Sequence, residues 1–385
     1  MLEFLHVSPP LLLIVVTEDW YFWSHRLPLA RAARDAGFRV EVATRVDAHG
    51  DRIRAEGFKL HDLPILRRGL ASALEPFSVA ALVSLYRRLG PQLVLHVALK
   101  PVVLGTLAGR IAGVPATLNI LTGMGFVFTS QSWKARLLRP PIAALLGRLL
   151  SHPRVLTVVQ NKEDLETLTE AGVLAPAGTR LIRGSGVDVA FFSPLPEPEG
   201  PFTVAAVCRM LGDKGVYDLI AAARLLRFRN AGVRILLAGP LDPLNPTAVP
   251  EARLQSWKAE GLADWIGAVS DVRDVWRRAH AAVLPSHREG LPKALIEAAA
   301  CGRAIVTTDT TGCREVVEEG LNGLLVPPRD PAALADALER LSRDPAYCRL
   351  LGNAGRRRVE ERFSEAVVIS QTLELCRLLA PLSPP

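Results

Sequence analysis

Two glutamates, Glu289 and Glu297, stand eight positions apart in PSHREGLPKALIEAAACG, residues 285–302. A Gly-Leu-Pro turn separates them. The backbone N–H groups of Gly290, Leu291 and the helical turn that follows favour phosphate or hydroxyl oxygens. The segment therefore predicts either a binding site for such a ligand or a loop acid followed by an ordinary surface acid.

The residues around this pair predict a strand, loop, helix, strand unit. The run AHAAVLP is of strand type, PKALIEAAAC is rich in helix formers, and GRAIVTTD returns to β-branched residues. Pro292 suits the first helical position and Gly302 suits the helix end. Glu289 is thus predicted in a loop at the carboxyl end of a strand, where open parallel sheets bind ligands, and Glu297 on the helix behind it.

The surroundings of Glu297 leave two interpretations open. Its helical neighbours at three and four positions are Lys293, Ala294, Ala300 and Cys301. Most of these are small, so a bulky group can approach the carboxylate closely. The alternative is a surface ion pair between Lys293 and Glu297, which in this order adds only about 0.3 kcal/mol to a helix.

A second candidate site follows the strand-like run TVAAV. The segment CRMLGDKGVYDLI places Arg209 and Lys214 near the carboxyl end of that strand, just before a helix. Two cations beside a helix N-terminus suit a diphosphate. Alone they indicate solvated surface charges, but the Glu289 and Glu297 unit in the same half of the chain favours a site.

The elements that must position these residues follow a simple order. The chain has 385 residues and 49% hydrophobic content, enough to bury a large core in two domains. Strand-like runs alternate with helical ones, which predicts a doubly wound α/β fold. The runs are LLLIVV, FRVEVAT, QLVLHV, ATLNI and VLTVV, then TVAAV, VRILLA, HAAVLP, AIVTT and GLLVP.

Proline and glycine concentrate in FSPLPEPEGPF, residues 192–202, which predicts an exposed linker. We therefore expect an N-terminal domain over 1–195 and a C-terminal domain over 196–365, facing each other across a cleft. The last helical stretch, 366–385, has no strand after it and is expected to pack back on the first domain.

The cysteines and apolar segments limit the cellular compartments in which the protein is expected. Five cysteines, all in the second half, show no CxxC pair and no metal-ligand spacing, so we expect a reduced cytosolic setting. The N-terminal segment has an acid near its start, a Pro-Pro pair and no small-residue cleavage site, so no signal peptide is expected. No run of about 20 apolar residues suits a membrane helix. The protein is expected to be soluble or peripheral.

The distribution of the net charge of +7 is uneven. No Asp or Glu occurs between Glu75 and Glu163, a field of one sign that favours an anionic partner. Ten basic residues lie in this stretch: Arg87, Arg88, Lys100, Arg110, Lys134, Arg136, Arg139, Arg148, Arg154 and Lys162. Nucleic acid is disfavoured, because these residues are not interleaved with aromatics and no reader motif occurs.

Within this stretch, SWKARLLRPPIAALLGRLLSH joins a tryptophan and basic residues to many leucines. That composition suits the interface of a membrane with anionic lipid. The Pro140-Pro141 pair is expected to kink or divide the segment. The alternative is an amphipathic helix that packs on the core while its basic residues face solvent.

Three motifs in the second half occur in order: CRMLGDKG, GAVSDVRDVW and LPSHREGLPKALIEAAACGRAIVTTDTTGCREVVEEGLNGLLVPPRD. They resemble the retaining glycosyltransferases of family 4, whose GT-B fold has two Rossmann-like domains. The resemblance implies that Arg209 and Lys214 hold the donor diphosphate and that Glu297 accepts hydrogen bonds from the ribose hydroxyls. The groups implied to position the transferred sugar are Glu289, Gly290, Leu291, Pro292 and Lys293.

The first half is similar to the branch that extends polyprenyl-diphosphate-linked sugars for bacterial capsule, O-antigen or N-glycan assembly. The similarity lies in TEDWYFWSHRLPLARAARDAGFRVEVAT, HVALKPVVLGTLAGRIAGVPATLNILTGMGFVF and GSGVDVAFFSP. It implies that the segment 133–152 faces the membrane that carries the lipid acceptor. The residues implied to line the acceptor side of the cleft are Asp19, His25, Lys100, Thr122, Gly123 and Gly125.

Two departures from the family pattern limit what is carried over. TEDWYF replaces the Gly-Gly loop often found after the first strand, and Thr122 stands where many members have a histidine. A direct contact of that histidine with the sugar is therefore not implied. His25 and His96 are the alternatives in the cleft, although a lone histidine is more often structural.

The implied reaction is transfer of a hexose or N-acetylhexosamine from a UDP-sugar to a lipid-linked saccharide, with an α-linked product and no cofactor or metal. Fixed cations can neutralise the departing nucleoside diphosphate without a metal. The expected place is the cytoplasmic face of the inner membrane. The alternatives are a GDP-mannose-dependent mannosyltransferase, a sugar-nucleotide epimerase of GT-B fold, and a catalytically silent partner of a glycan-assembly complex.

Overall fold

The structure, a computed structural model, describes residues 9–63, 76–123, 128 and 133–382. The chain forms two compact units, and each is described by itself. Unit 1 comprises Met1–Ser185 with Ala366–Pro385, and unit 2 comprises Gly186–Glu365.

The division between the units precedes the boundary expected after residue 195. Val187 is fully buried among side chains of unit 2. Its N–H donates to the carbonyl of Phe363, and its carbonyl accepts from the N–H of Glu365, both at 2.9 Å. These contacts tie the segment that precedes the expected linker to unit 2.

Unit 1 is built on a parallel sheet of seven strands in the order β3-β2-β1-β4-β5-β6-β7. Its central strands are almost continuous apolar runs, because helices cover both faces of the sheet. The strands are β1 (Leu11–Glu18), β2 (Arg39–Arg45), β3 (Lys59–Asp62), β4 (Leu93–Val97), β5 (Ala116–Leu121), β6 (Val155–Val159) and β7 (Thr179–Leu181).

The helices of unit 1 sort onto the two faces of this sheet. Leu13 and Val15 of β1 point to one face, and Leu12 and Ile14 to the other. The helices are α1 (Asp19–His25), α2 (Leu27–Asp35), α3 (Gly50–Ala55), α4 (Pro76–Leu89), α5 (Leu99–Ala112), α6 (Trp133–Leu150) and α7 (Lys162–Glu170). Helices α4 and α5 cover the Leu13 face, and α1 and α2 cover the Leu12 face.

Helix α6 runs through Pro140 and Pro141 without interruption, so of the expected kink or division the division does not occur. Each proline removes the N–H that would bond the carbonyl four residues earlier. Those carbonyls belong to Arg136 and Leu137, which are exposed, so water can satisfy them. Among the described helices, none is both long and apolar enough to cross a membrane.

Unit 2 contains a parallel sheet of six strands in the order β10-β9-β8-β11-β12-β13. Its strands are β8 (Thr203–Val207), β9 (Arg234–Ala238), β10 (Asp264–Trp265), β11 (Ala281–Leu284), β12 (Ala304–Thr308) and β13 (Gly323–Val326). Its helices are α8 (Val216–Phe228), α9 (Glu251–Ala259), α10 (Arg273–Trp276), α11 (Lys293–Ala300), α12 (Thr311–Val316), α13 (Pro331–Arg343) and α14 (Pro345–Arg362). The predicted doubly wound α/β class is confirmed in both units.

The last helix, α15 (Glu365–Leu379), returns to unit 1. Val368, Leu373 and Cys376 of this helix are buried in the same cluster as Leu12 and Ile14 of β1. The chain therefore leaves unit 1 once and returns to it with an apolar helical face.

Candidate functional site

The site in unit 2 begins where two neighbouring strands end. The loops after β8 and β11 meet at the carboxyl edge of the sheet, because those strands pair directly. Gly215 sits at the contact with φ of +73°, and a Cβ added there would lie 1.9 Å from the carbonyl oxygen of Pro285. Only glycine permits this approach, which brings the two loops together.

Three hydrogen bonds fasten the loops. The N–H of His287 donates to the carbonyl of Asp213 at 2.9 Å, and the hydroxyl of Ser286 donates to the same oxygen at 3.1 Å. The His287 ring bonds the Asp218 carboxylate through Nε2 at 2.6 Å. The position of Glu289, two residues further on, is thereby set by the loop after β8.

The cation of one loop meets the acid of the other. Lys214 Nζ lies 2.6 Å from Glu289 Oε1, and the two side chains are only 22% and 9% exposed. The short distance is that of a charge-assisted hydrogen bond. The sequence placed both residues in one site but did not predict that they pair.

Arg209 lies beside this pair and has its own carboxylate. Its Nη1 donates to Asp242 Oδ2 at 2.6 Å, and close to half of the arginine side chain remains exposed. Burial raises the pKa of the neighbouring Cys208 thiol to about 12, while Lys214 and Arg209 lower it and Glu289 raises it. The charges of Lys214, Arg209 and Glu289 therefore all act on the Cys208 thiol, which follows β8.

A third loop supports the Glu289 segment from behind. A Cβ at Gly312 would lie 2.5 Å from the carbonyl oxygen of Gly290 and 2.7 Å from that of Glu289, so α12 packs directly on this backbone. The hydroxyl of Thr308 bonds the carbonyl of Ser286. These contacts hold the backbone of the loop in place. Half-buried Leu291 then connects the loop to α11.

Helix α11 places Glu297 as expected, with one difference at its start. Pro292, predicted as the first helical residue, is instead the N-cap, so the helix begins one residue later at Lys293; Gly302 ends the helix with φ of +76° as predicted. The helix begins within the loop, so its first N–H groups face the ligand edge.

Glu297 is not an ordinary surface acid. Its side chain is 14% exposed, and the Lys293 ammonium lies 3.9 Å away. Burial raises the pKa of the Glu297 carboxyl to about 7, and Lys293 opposes the shift. A shielded carboxylate with so distant a cation is a strong acceptor for ligand hydroxyl groups.

Together these groups provide cations for a diphosphate, a carboxylate for a diol and helix N–H groups for oxygen atoms. In the part of the chain that the structure describes, no group of three His, Cys, Asp or Glu side chains is arranged to hold a metal ion.

The acceptor-side residues expected in unit 1 come from three adjacent strands. Asp19 follows β1, Lys100 lies in the first turn of α5 after β4, and Thr122 and Gly123 follow β5. Since β1, β4 and β5 are neighbours, these four residues share the carboxyl edge of the sheet. Gly125 lies outside the described residues.

The structure gives Asp19 and His25 local contacts. The buried Asp19 Oδ2 accepts from the N–H groups of Asp47 and His49 at 2.7 and 2.8 Å, so this carboxylate holds the loop after β2. His25 ends α1 and stacks on Tyr21, with 4.4 Å between ring centroids. These contacts place the two residues at opposite ends of α1.

His96 is a core residue, so it does not reach a ligand as the alternative predicted from the sequence required. It is fully buried and bonds Tyr86 at 2.8 Å through Nε2 and Asn119 at 2.9 Å through Nδ1. Burial lowers the pKa of the ring to about 4, so it stays neutral. The structural alternative for this histidine is confirmed.

Sequence reasoning missed the partners that hold the site together: Asp213, Asp218, Asp242, Ser286 and His287. The sequence signals were weak. Asp242 follows β9 in GPLDP, a turn at the carboxyl end of a strand next to β8, and His287 stands two residues before Glu289.

Two family descriptions match the chain. Residues 201–344 match "Glycosyl transferases group 1", and residues 11–159 match "Glycosyl transferase 4-like". The first covers most of unit 2 with Arg209, Lys214, Glu289 and Glu297, and the second covers most of unit 1.

Curated relatives match over most of their length. The N,N'-diacetylbacillosaminyl-diphospho-undecaprenol alpha-1,3-N-acetylgalactosaminyltransferase of Campylobacter jejuni is 26% identical, over 83% of this chain and 86% of its own. The putative glycosyltransferase EpsD of Bacillus subtilis is 28% identical, over 94% of this chain and 95% of its own.

Solved structures share the fold. Sucrose-phosphate synthase from Thermosynechococcus elongatus superposes with a TM-score of 0.78 at 22% identity, over 96% of this chain and 99% of its own. Anabaena HepE in complex with UDP and glucose superposes with a TM-score of 0.76 at 19% identity, over 96% and 100%. The expected GT-B fold is confirmed.

Proposed function

The chain belongs to the family 4 glycosyltransferases of GT-B fold, and from that premise we propose that it transfers a hexose or N-acetylhexosamine from a UDP-sugar to a polyprenyl-diphosphate-linked saccharide. Its coarser function, glycosyl transfer in polysaccharide biosynthesis, follows from the matched families and from relatives that include a capsular polysaccharide biosynthesis glycosyltransferase of Staphylococcus aureus. The donor, the acceptor and the stereochemistry are the proposal.

The observation that carries the proposal is the meeting of Lys214 and Glu289 at 2.6 Å, with Arg209 beside them. The two cations are held by carboxylates rather than by the core, so a diphosphate can replace Glu289 and Asp242 as their partner. Glu297, shielded on the next helix, then accepts from the ribose hydroxyls.

The proposed step is a transfer on one face of the sugar. The bond between the anomeric carbon and the diphosphate oxygen breaks, and the acceptor oxygen forms a new bond on the same face. The acceptor proton moves to an oxygen of the leaving phosphate. Arg209 and Lys214 stabilise the negative charge that develops there, which removes the need for a metal.

One relative and one structure of the same fold support the choice of substrates. The C. jejuni relative is named for a diphospho-undecaprenol saccharide, and HepE was solved with UDP and glucose. Unit 1 also fits an anionic membrane that carries such an acceptor. It has 23 Lys and Arg against 15 Asp and Glu, whereas unit 2 has 23 against 24.

The first test is a thermal-shift titration with UDP, GDP and ADP without added metal. Selective stabilisation by UDP is expected, because a ligand that binds the native state raises its unfolding temperature. UDP-sugars are then assayed with polyprenyl-diphosphate saccharides. A preference for GDP would favour the GDP-mannose-dependent mannosyltransferase. The absence of a response near millimolar concentrations would favour the catalytically silent partner of a glycan-assembly complex.

A further inference from the structure

Helices α4, α5 and α6 form one layer over one face of the unit 1 sheet. Leu82 and Leu85 of α4 pack with Leu104 of α5 on the Leu13 face. Val102 of α5 packs with Leu146 of α6 further along the same face. The guanidinium of Arg110 also joins α5 to α6, donating to the carbonyl of Arg148 at 3.0 Å. Exposed side chains on these helices include Phe77, Leu107 and Leu137.

A groove of about 720 Å³ runs along the outer side of α4 where it meets α5. The groove is open to solvent on its outer side rather than enclosed. Leu107 and Ile111 of α5 form its second wall. The α4 wall repeats at three and four positions, as one helical stripe does. Its residues are Pro76, Val79, Ala80, Val83, Ser84 and Arg87.

The same outer side concentrates exposed apolar side chains. Among the described residues of unit 1, seven large apolar side chains are exposed, and five of them lie on this layer. The five are Phe77, Leu107, Ile111, Leu137 and Leu145. Scattered exposed residues are normal, but a patch of this kind marks an interaction surface.

The three helices of this layer carry charges of one sign. No acid occurs in the sequence between Glu75 and Glu163, which contains all three helices. Arg87 lies at the end of the groove and donates to the carbonyl of Ile111 at 3.4 Å. Arg88, Arg110 and Arg148 are exposed nearby. An apolar groove that ends in cations matches an aliphatic chain that ends in an anionic headgroup.

We propose that the α4–α5 groove receives an aliphatic chain of an anionic bilayer lipid, so that the outer side of α4, α5 and α6 is the surface that docks on the membrane. The proposal rests on the proposed function in one respect, since a lipid-linked acceptor brings the enzyme to a bilayer. It extends the docking surface from the 133–152 segment to a three-helix face with a defined chain site.

The first test measures flotation of the full chain with vesicles of phosphatidylcholine, with and without phosphatidylglycerol. Binding to the anionic vesicles is expected, and Phe77→Ser with Ile111→Asn should lower it roughly tenfold or more, because buried apolar area drives interfacial binding. Phe228→Ser is the matched control, since Phe228 in unit 2 is 87% exposed and Phe77 is 86% exposed. This control should bind as the wild type does.

The second test probes the groove itself. Ser84→Trp adds an indole to the α4 wall, and vesicles with brominated acyl chains should quench its fluorescence beyond the quenching of the wild type. Absence of vesicle binding by the wild type, full binding by the double variant, equal loss in Phe228→Ser, or no extra quenching of the tryptophan at 84 would each overturn the proposal.

The proposed function is tested separately by UDP binding and by transfer to a soluble short-chain acceptor without vesicles. The double variant should keep both activities at the wild-type level. If the wild type fails in these assays while vesicle binding follows the groove variants, the proposed function fails and the docking surface stands.

Discussion

Glu297 carries a testable consequence of its burial. Its pKa, raised to about 7, means that the carboxylate loses its charge as the pH falls from 8 to 6. If the charged form accepts from the ribose hydroxyls, UDP affinity should fall over this window, approaching tenfold per pH unit below the pKa. Isothermal titration calorimetry at several pH values measures the effect.

The matched control for this pH dependence is Glu297→Gln. UDP has its own phosphate ionisation, which affects wild type and variant equally. The variant should bind UDP more weakly at pH 8 and show a flatter pH profile than the wild type. Parallel profiles for the two proteins would remove Glu297 from the ribose site.

Lys214 tests the diphosphate assignment. Lys214→Ala should lower kcat/KM by roughly a hundredfold or more, on the scale of losing one charge contact to a transition state. Lys258→Ala is the control, because Lys258 pairs with Asp264 at 3.1 Å elsewhere in unit 2. Turnover near the wild-type level in Lys214→Ala would contradict the role proposed for this ammonium group.

At the scale of elements, the site depends on the contact between the loops after β8 and β11. Gly215→Ala should lower both stability and activity, because its Cβ would collide with the Pro285 carbonyl and force Lys214 away from Glu289. The left-handed conformation alone costs roughly 1–2 kcal/mol for a residue with a side chain. Thermal unfolding and kcat measure the two effects.

Gly267→Ala separates the collision from the backbone cost. Gly267 has the same φ of +73°, but no atom lies within 4 Å of the Cβ position. This variant should lose stability through its backbone alone and keep its activity. If the two variants lost equal stability and activity, the close approach at Pro285 would have no importance for the site.

The sequence predicted interior strands better than edge strands. All ten predicted runs are strands, since buried parallel strands read as continuous apolar segments. The missed strands, β3, β7 and β10, are sheet edges with the short polar sequences KLHD, TRL and DW. These segments become strands because they pair with a neighbouring strand, and their own composition does not indicate a strand.

The candidate site follows the same rule. The positions of Glu289 and Glu297 in a loop and on the helix behind it were predicted, because helix formers and a terminal glycine are local signals. The pairing of Lys214 with Glu289 joins residues 75 positions apart, so no local pattern encodes it. The same holds for the use of Asp19 by the loop after β2.

At the scale of the whole molecule, the net charge of +7 belongs to unit 1. Unit 1 has an excess of eight Lys and Arg over Asp and Glu, and unit 2 has one acid more than its bases. The nucleotide site proposed in nearly neutral unit 2 therefore needs local cations, whereas the overall field of unit 1 would attract an anionic surface.

This asymmetry predicts that salt affects delivery to the membrane but not the chemical step. Raising salt from about 0.1 M to about 0.5 M shortens the Debye length from about 10 Å to a few ångströms, which screens exposed arginines. Transfer to a lipid-linked acceptor in anionic vesicles should fall severalfold, because each basic residue near such a surface contributes about 1 kcal/mol. Transfer to the same saccharide on a soluble short chain should change little, since Lys214, paired and 22% exposed, is screened less. Equal salt sensitivity with both acceptors would assign the effect to the nucleotide site and contradict the charge-guided docking of unit 1.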